Sequence, residues 1–192
     1  MILAEDPIFE TLQGCYGEYN PIPNLKKLEE NSDNEKVRKE ILNDFLDNLY
    51  HQGSVYLVSF LTLPLLIRLA IKKNLSDLEI ITLVGFIEMA RSDNNVEIPT
   101  KYLADYEREI KNVTLIAHTN KDWDYSYTLI STMAITAANG QKDFADSIFY
   151  FDRKDTKFLR AVATNKEYIE DVLLQANMID TKTRDKNQLN LF

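Results

Sequence analysis

The chain has 192 residues, enough for one compact domain with a real core, and its 45% hydrophobic and 27% charged content is that of a soluble globular protein. Five glycines and five prolines are too few for a sandwich or barrel with many tight turns. The 22 basic and 30 acidic side chains leave a net charge of −8, which repels phosphate backbones and sets the expectation of no nucleic-acid partner.

Cys15 is the only cysteine, which excludes an internal disulfide and a thiolate zinc site, and no local motif supplies it with a base. The opening MILAEDPIFE meets Glu5, Asp6 and Pro7 almost at once and has no basic stretch ahead of an apolar one. The expectation is therefore a cytoplasmic protein without a secretory leader.

In chain order, residues 1–21 read as irregular, because GCYGEYNPIP crowds turn-forming residues together. A short helix follows over IPNLKKLEE, with Pro23 in its first turn. The first strong helix spans 34–50, where Val37, Ile41, Phe45 and Leu49 recur every four residues with Leu42 and Leu46 beside them. SDNE at 32–35 has capping-box spacing, with Ser32 as the cap and Glu35 reaching back. HQGS at 51–54 then breaks the pattern: Gly53 suits a left-handed helix end and Ser54 can cap the next helix.

That next helix covers 55–73. Ser59, Thr62, Pro64 and Arg68 interrupt its apolar run and Lys72 and Lys73 end it, so it is a buried helix rather than a membrane span. Pro64 should kink it, or two shorter helices meet near Leu63. SDLE at 76–79 is a second capping box, opening a helix to about Arg91 whose apolar residues cover more than one face. Gly85 in its middle costs about 1 kcal/mol relative to Ala, which a close helix crossing would explain.

After a loop at 92–99, one long helix is expected from Thr100 to about 119, with Leu103, Tyr106, Ile110, Val113 and Ala117 as its core stripe. Arg108 and Asn112 project away from that stripe and Asp105 lies at its margin. Further helices are expected at 125–139, closed by Gly140, at 143–151, and over 156–176, before a polar tail at 177–192.

No useful segment alternates with period two, so the fold class is all-α. The helices group as antiparallel pairs whose starts lie roughly 40 to 50 residues apart, near the period of HEAT or armadillo units. The residues themselves do not repeat, and a plain helical bundle stays open on periodicity alone.

Three stretches carry a resemblance: CYGEYNPIPNLKKL, then DNEKVRKEILNDFLDNLYHQGSVY, then LPLLIRLA. Together they resemble the N-terminal part of bacterial HEAT-repeat proteins, over about residues 14–70. The most specific part is the turn His51-Gln52-Gly53-Ser54-x-Tyr56. The resemblance implies a single domain over 1–192 in which helix pairs stack as a short α-solenoid that binds another protein. Some such proteins are similar to immunity proteins encoded beside secreted bacterial toxins. No catalytic residue is carried over.

His51 has no His-x-x-x-His partner and no carboxylate–histidine cluster near it, so no metal site is expected. His51, Gln52, Gly53, Ser54 and Tyr56 read as a structural corner, with His51 and Gln52 satisfying open carbonyls of the preceding helix. His118 can interact with the C-terminal dipole of its own helix. The most suggestive surface stretch is KDWDYSY, which joins Asp122, Trp123, Asp124, Tyr125 and Tyr127: carboxylates steer a basic partner and aromatics supply anchor area. The competing reading makes Asp124 a helix cap and packs Trp123 on the core. Asp146 and Asp152 lie near Phe149 and Tyr150 in a similar, weaker pattern.

Three functions follow. The first is a non-catalytic module that binds a protein, with a basic toxin domain as partner and with no cofactor, nucleic acid or membrane. The second is a HEAT-like DNA glycosylase-type enzyme, in which Asp122 or Asp124 with Trp123 would imitate the site; the acidic charge speaks against it. The third is a scaffold or regulator unrelated to toxins.

Overall fold

Ile41, Phe45 and Leu49 fall on one buried face of a helix, and the same periodicity builds the rest of the body. The structure of the chain, a computed structural model, describes residues 1–150. Its α-helices are α1 (Ile22–Glu30), α2 (Glu35–Leu49), α3 (Leu57–Lys73), α4 (Leu78–Arg91), α5 (Thr100–Ile110), α6 (Val113–Thr119), α7 (Tyr125–Ala138) and α8 (Lys142–Phe149). Strands β1 (Gln13–Gly14) and β2 (Gly17–Glu18) form the one small sheet of the described residues, antiparallel, with Gln13 opposite Glu18. The class is therefore all-α. No helix of the described residues is long and apolar enough to cross a membrane. The expected helices over 156–176 and the polar tail lie outside the described residues, as does Asp152.

Several local expectations are corrected. Residues 1–21 are not irregular throughout: Pro7–Glu10 forms a 3₁₀ turn, and Ile2 and Phe9 are core residues. The cap of α2 is Asn34, whose Oδ1 accepts the Val37 N–H at 3.3 Å, while the Ser32 carbonyl accepts from Arg38 at 2.7 Å. Asp77 stands at the N-cap position of α4 but does not cap it. Its carboxylate instead takes Arg38 Nε at 3.2 and 3.3 Å, an ion pair in which both partners are charged.

The start of α3 is Leu57, two residues later than expected, and Ser59 rather than Ser54 serves its N-terminus. The Tyr56 N–H donates to Ser59 Oγ at 3.0 Å, and that hydroxyl donates to the Leu49 carbonyl at 2.6 Å. Pro64 sits inside an unbroken α3. The long helix expected from Thr100 is two helices. Between them the bonds tighten to three-residue spacing, Asn112 N–H to Glu109 C=O and Leu115 N–H to Asn112 C=O, both 2.9 Å.

The most extensive helix contact joins α4 and α7. Gly85 lies within it: a Cβ there would stand 2.4 Å from Met133 Sδ and 3.2 Å from Ala134 Cα. The close crossing that Gly85 suggested is present. On the same helix as Met133, the Ser131 hydroxyl is buried without a hydrogen-bond partner among the described residues. An orphan hydroxyl contributes desolvation and nothing in return, so Ser131→Ala should leave stability unchanged or raise it by up to about 1 kcal/mol. Urea unfolding checks this, and a loss of similar size would show that the hydroxyl has a partner.

Candidate functional site

The loop between α6 and α7 is wound around Asn120. Its Oδ1 accepts the Asp122 N–H at 3.1 Å, and its backbone carbonyl accepts Trp123 Nε1–H at 3.0 Å. Asp124 then caps α7, with Oδ1 accepting the Tyr127 N–H at 2.7 Å, as the capping reading expected. Trp123 is 37% exposed. It stacks on His118 with centroids 5.9 Å apart at 23° and meets the Tyr127 ring edge-on at 5.5 Å. The indole is therefore held on one side by two rings and by its own N–H bond, with the remainder in water.

The expected residues divide by role. Asp122, Trp123 and Asp124 are exposed together and Tyr125 is half-buried. Tyr127 is 6% exposed and donates its hydroxyl to the Ala117 carbonyl at 3.2 Å, so it supports Trp123 from the core instead of meeting a partner. Burial pushes its phenol above the ordinary range. Asp146 is exposed on α8, and no hydrogen bond or ring contact of the described residues joins it to this loop.

His51, Gln52, Gly53 and Ser54 form a two-bond turn, His51 N–H to Ser54 C=O at 3.1 Å and Ser54 N–H to His51 C=O at 2.8 Å. Its central residues Gln52 and Gly53 have φ of 49° and 85°, as a type I′ turn requires. His51 and Gln52 do not serve the end of α2. The Leu49 carbonyl goes to Ser59, and His51 Nδ1 pairs with the Tyr16 hydroxyl at 3.0 Å.

The strongest polar cluster was missed from sequence. Asp105 is 4% exposed. It accepts the Ile2 N–H at 2.6 Å and Arg68 Nη1 at 3.1 Å, and it also pairs with Arg108. Arg68 Nη2 donates to the Ile2 carbonyl at 2.5 Å, and Arg108 and Asn112 reach Glu109 at 2.7 and 3.1 Å. Arg108 and Asn112, expected to point away, thus close the cluster. Burial alone would raise the Asp105 carboxyl; the Ile2 amide and the two guanidinium groups outweigh it and hold it below the usual range. One signal existed: Arg68 interrupts the most apolar helix, and a charge there requires a partner.

A second internal pair lies under α5. The Tyr106 hydroxyl donates to Glu88, and Arg91 stands 5.1 Å over the Tyr106 ring centroid and 3.6 Å from Glu88. Burial pushes the Glu88 carboxyl up. A raised folded value favours the protonated form, so this group's contribution is fully present in acid and is lost as pH rises through that value. Glu88→Gln keeps an acceptor for Tyr106 without the charge. Its stability relative to the parent should improve as pH rises above about 4 and level off once the folded carboxyl has ionised. Unfolding curves at several pH values decide the point; a difference that is flat or of opposite slope rejects it.

Among the described residues, no group of three or more His, Cys, Asp or Glu side chains is placed to hold a metal ion. The half-buried Cys15 thiol is pushed up by burial. The polar cleft lined by Ser32, Arg38, Lys73 and Asp77 is wide open to solvent. Comparison with protein-family models, with curated proteins and with solved structures gave no match.

Proposed function

We propose that the chain is a non-catalytic protein-binding module for a basic partner and that the 120–124 loop is a principal contact. The observation that carries this reading is Trp123: a large aromatic ring, locked in place by Asn120, His118 and Tyr127, exposed between the carboxylates of Asp122 and Asp124. A pre-ordered aromatic anchor loses little side-chain entropy on binding, and flanking carboxylates speed the approach of a cationic surface. Residues 1–150 carry 23 acidic and 14 basic side chains, which supports a basic partner.

HEAT-like stacking of the helix pairs is the finer architecture of this proposal, supported by the resemblance over residues 14–70. The same resemblance makes a toxin domain the preferred partner and neutralisation of that toxin the preferred role. Co-expression with the product of the adjacent gene tests it. A stable complex and protection from toxicity are expected, with affinity falling as salt rises. Trp123→Ala should weaken that complex by about 2 kcal/mol, some thirtyfold, without lowering the protein's own thermal stability by more than about 1 kcal/mol. Unchanged affinity in that variant would remove the loop from the interface.

A further inference from the structure

The end of α7 opposite Trp123 carries a second loop cluster. Three connections meet there: the β1–β2 tip at Cys15 and Tyr16, the His51–Ser54 turn, and the α4–α5 loop beginning at Ser92. Side chains tie them to one another. Tyr16 and His51 share the 3.0 Å hydrogen bond and an edge-on ring contact at 5.3 Å. Asn94 donates to the Gly53 carbonyl at 2.8 Å and accepts from the Val55 N–H at 3.4 Å. The Cys15 N–H donates to the Asn48 carbonyl at 3.1 Å, which fastens the hairpin tip to the last turn of α2. Lys142, at the start of α8, reaches Asp93 at 2.5 Å and Ser92 Oγ at 2.7 Å.

On this braced platform Tyr16 is 68% exposed. An aromatic ring held out in water by a turn that is pinned from below is costly to solvate and inexpensive to bury against a partner. The surrounding charge is predominantly negative. Residues 13–18, 44–54 and 92–97 contain Glu18, Asp44, Asp47, Asp93 and Glu97 and no lysine or arginine. Lys142 offsets Asp93 alone. The Asp44 carboxylate is met by Tyr19, Asn24 and Asn48, all neutral donors, and no ion pair of the described residues includes it.

We infer that this loop end is a second contact surface for a cationic protein segment, with Tyr16 as its anchor and His51 as the brace that orients the ring. The inference rests on the basic-partner reading above but uses a different surface. Trp123 precedes the first turn of α7 and Lys142 follows its last, so the two are separated by the 14 residues of that helix, about 21 Å.

The test is a titration of the isotopically labelled full chain with an arginine–glycine repeat peptide, followed by amide chemical shifts at low and at physiological salt. Shifts at 13–18, 51–54 and 92–97 are expected, separate from any at 120–124. Tyr16→Ala should weaken the binding read at the first group about tenfold and leave the 120–124 response unchanged, while Tyr16→Phe, which keeps the ring, should retain most of it. Shifts confined to 120–124 would overturn this inference and leave the basic-partner reading standing. No shift at either end, even at low salt, would overturn both. Undiminished binding by Tyr16→Ala would show that charge alone acts there, and would overturn the anchor.

Discussion

Asp105→Ala should lower the stability of the protein by about 3 kcal/mol at neutral pH, because removing one member of a buried charged cluster leaves the others uncompensated. Two consequences add together. The Ile2 N–H, bonded at 2.6 Å, loses its acceptor, and Arg68, whose side chain is largely buried, keeps only Glu109 at 3.6 Å and the Ile2 carbonyl. The N-terminal segment should therefore loosen first, with Ile2 and Phe9 leaving the core.

The pH dependence follows from the depressed carboxyl. A group whose folded value lies below its unfolded one stabilises fully above the unfolded value, about 3.9 for aspartate, and that contribution is lost as pH falls through the folded value. The gap between the parent and Asp105→Asn should thus be constant from neutral pH down to about pH 5 and should narrow below it. Urea unfolding at a series of pH values measures both quantities. A neutral-pH loss under about 1 kcal/mol in the alanine variant, or a gap that widens in acid, would contradict the assignment.

Gly85→Val should destabilise by about 3 kcal/mol or more, and Gly85→Ala by about 1 to 2 kcal/mol. Helix propensity alone predicts the opposite sign for alanine, a gain of about 1 kcal/mol in the middle of α4. Packing decides the matter. The added Cβ meets the flexible end of Met133, which can move, but also the backbone of Ala134 at 3.2 Å, which cannot move without shifting α7. Overpacking at this crossing should also weaken α7 and the loop that begins it, so Trp123 fluorescence should follow the same unfolding transition. A double-mutant cycle with Met133→Ala should show coupling of at least about 1 kcal/mol, since both side chains compete for one space. A stabilised Gly85→Ala would mean that the helices do not approach this closely.

The helical elements were largely legible in the chain. The bounds of α1 match the expectation, and those of α2, α4 and α7 agree with it to within a residue or two. The Asp124 cap was legible because a cap is a contact over three residues. The second capping box put the cap at Ser76; the N-cap position is Asp77, one residue on, and its carboxylate pairs with Arg38, 39 residues away. In the candidate site, Asp122, Trp123 and Asp124 were identifiable as one loop. Which ring faced water was not, since Tyr127 is turned inward by a bond to the Ala117 carbonyl ten residues away.

By itself the sequence determined that this protein is helical, acidic and built around α3 and α4, because periodicity, charge and turn chemistry act over a few neighbouring residues. Only the tertiary structure decided which polar groups would be buried and which aromatics would be displayed. Asp105 meets an amide 103 residues away, and Tyr16 meets a histidine 35 residues away. Such partners are chosen by how rigid helices pack at close quarters, where an unpaired charge is too costly to keep, and that choice leaves no periodic trace along the chain.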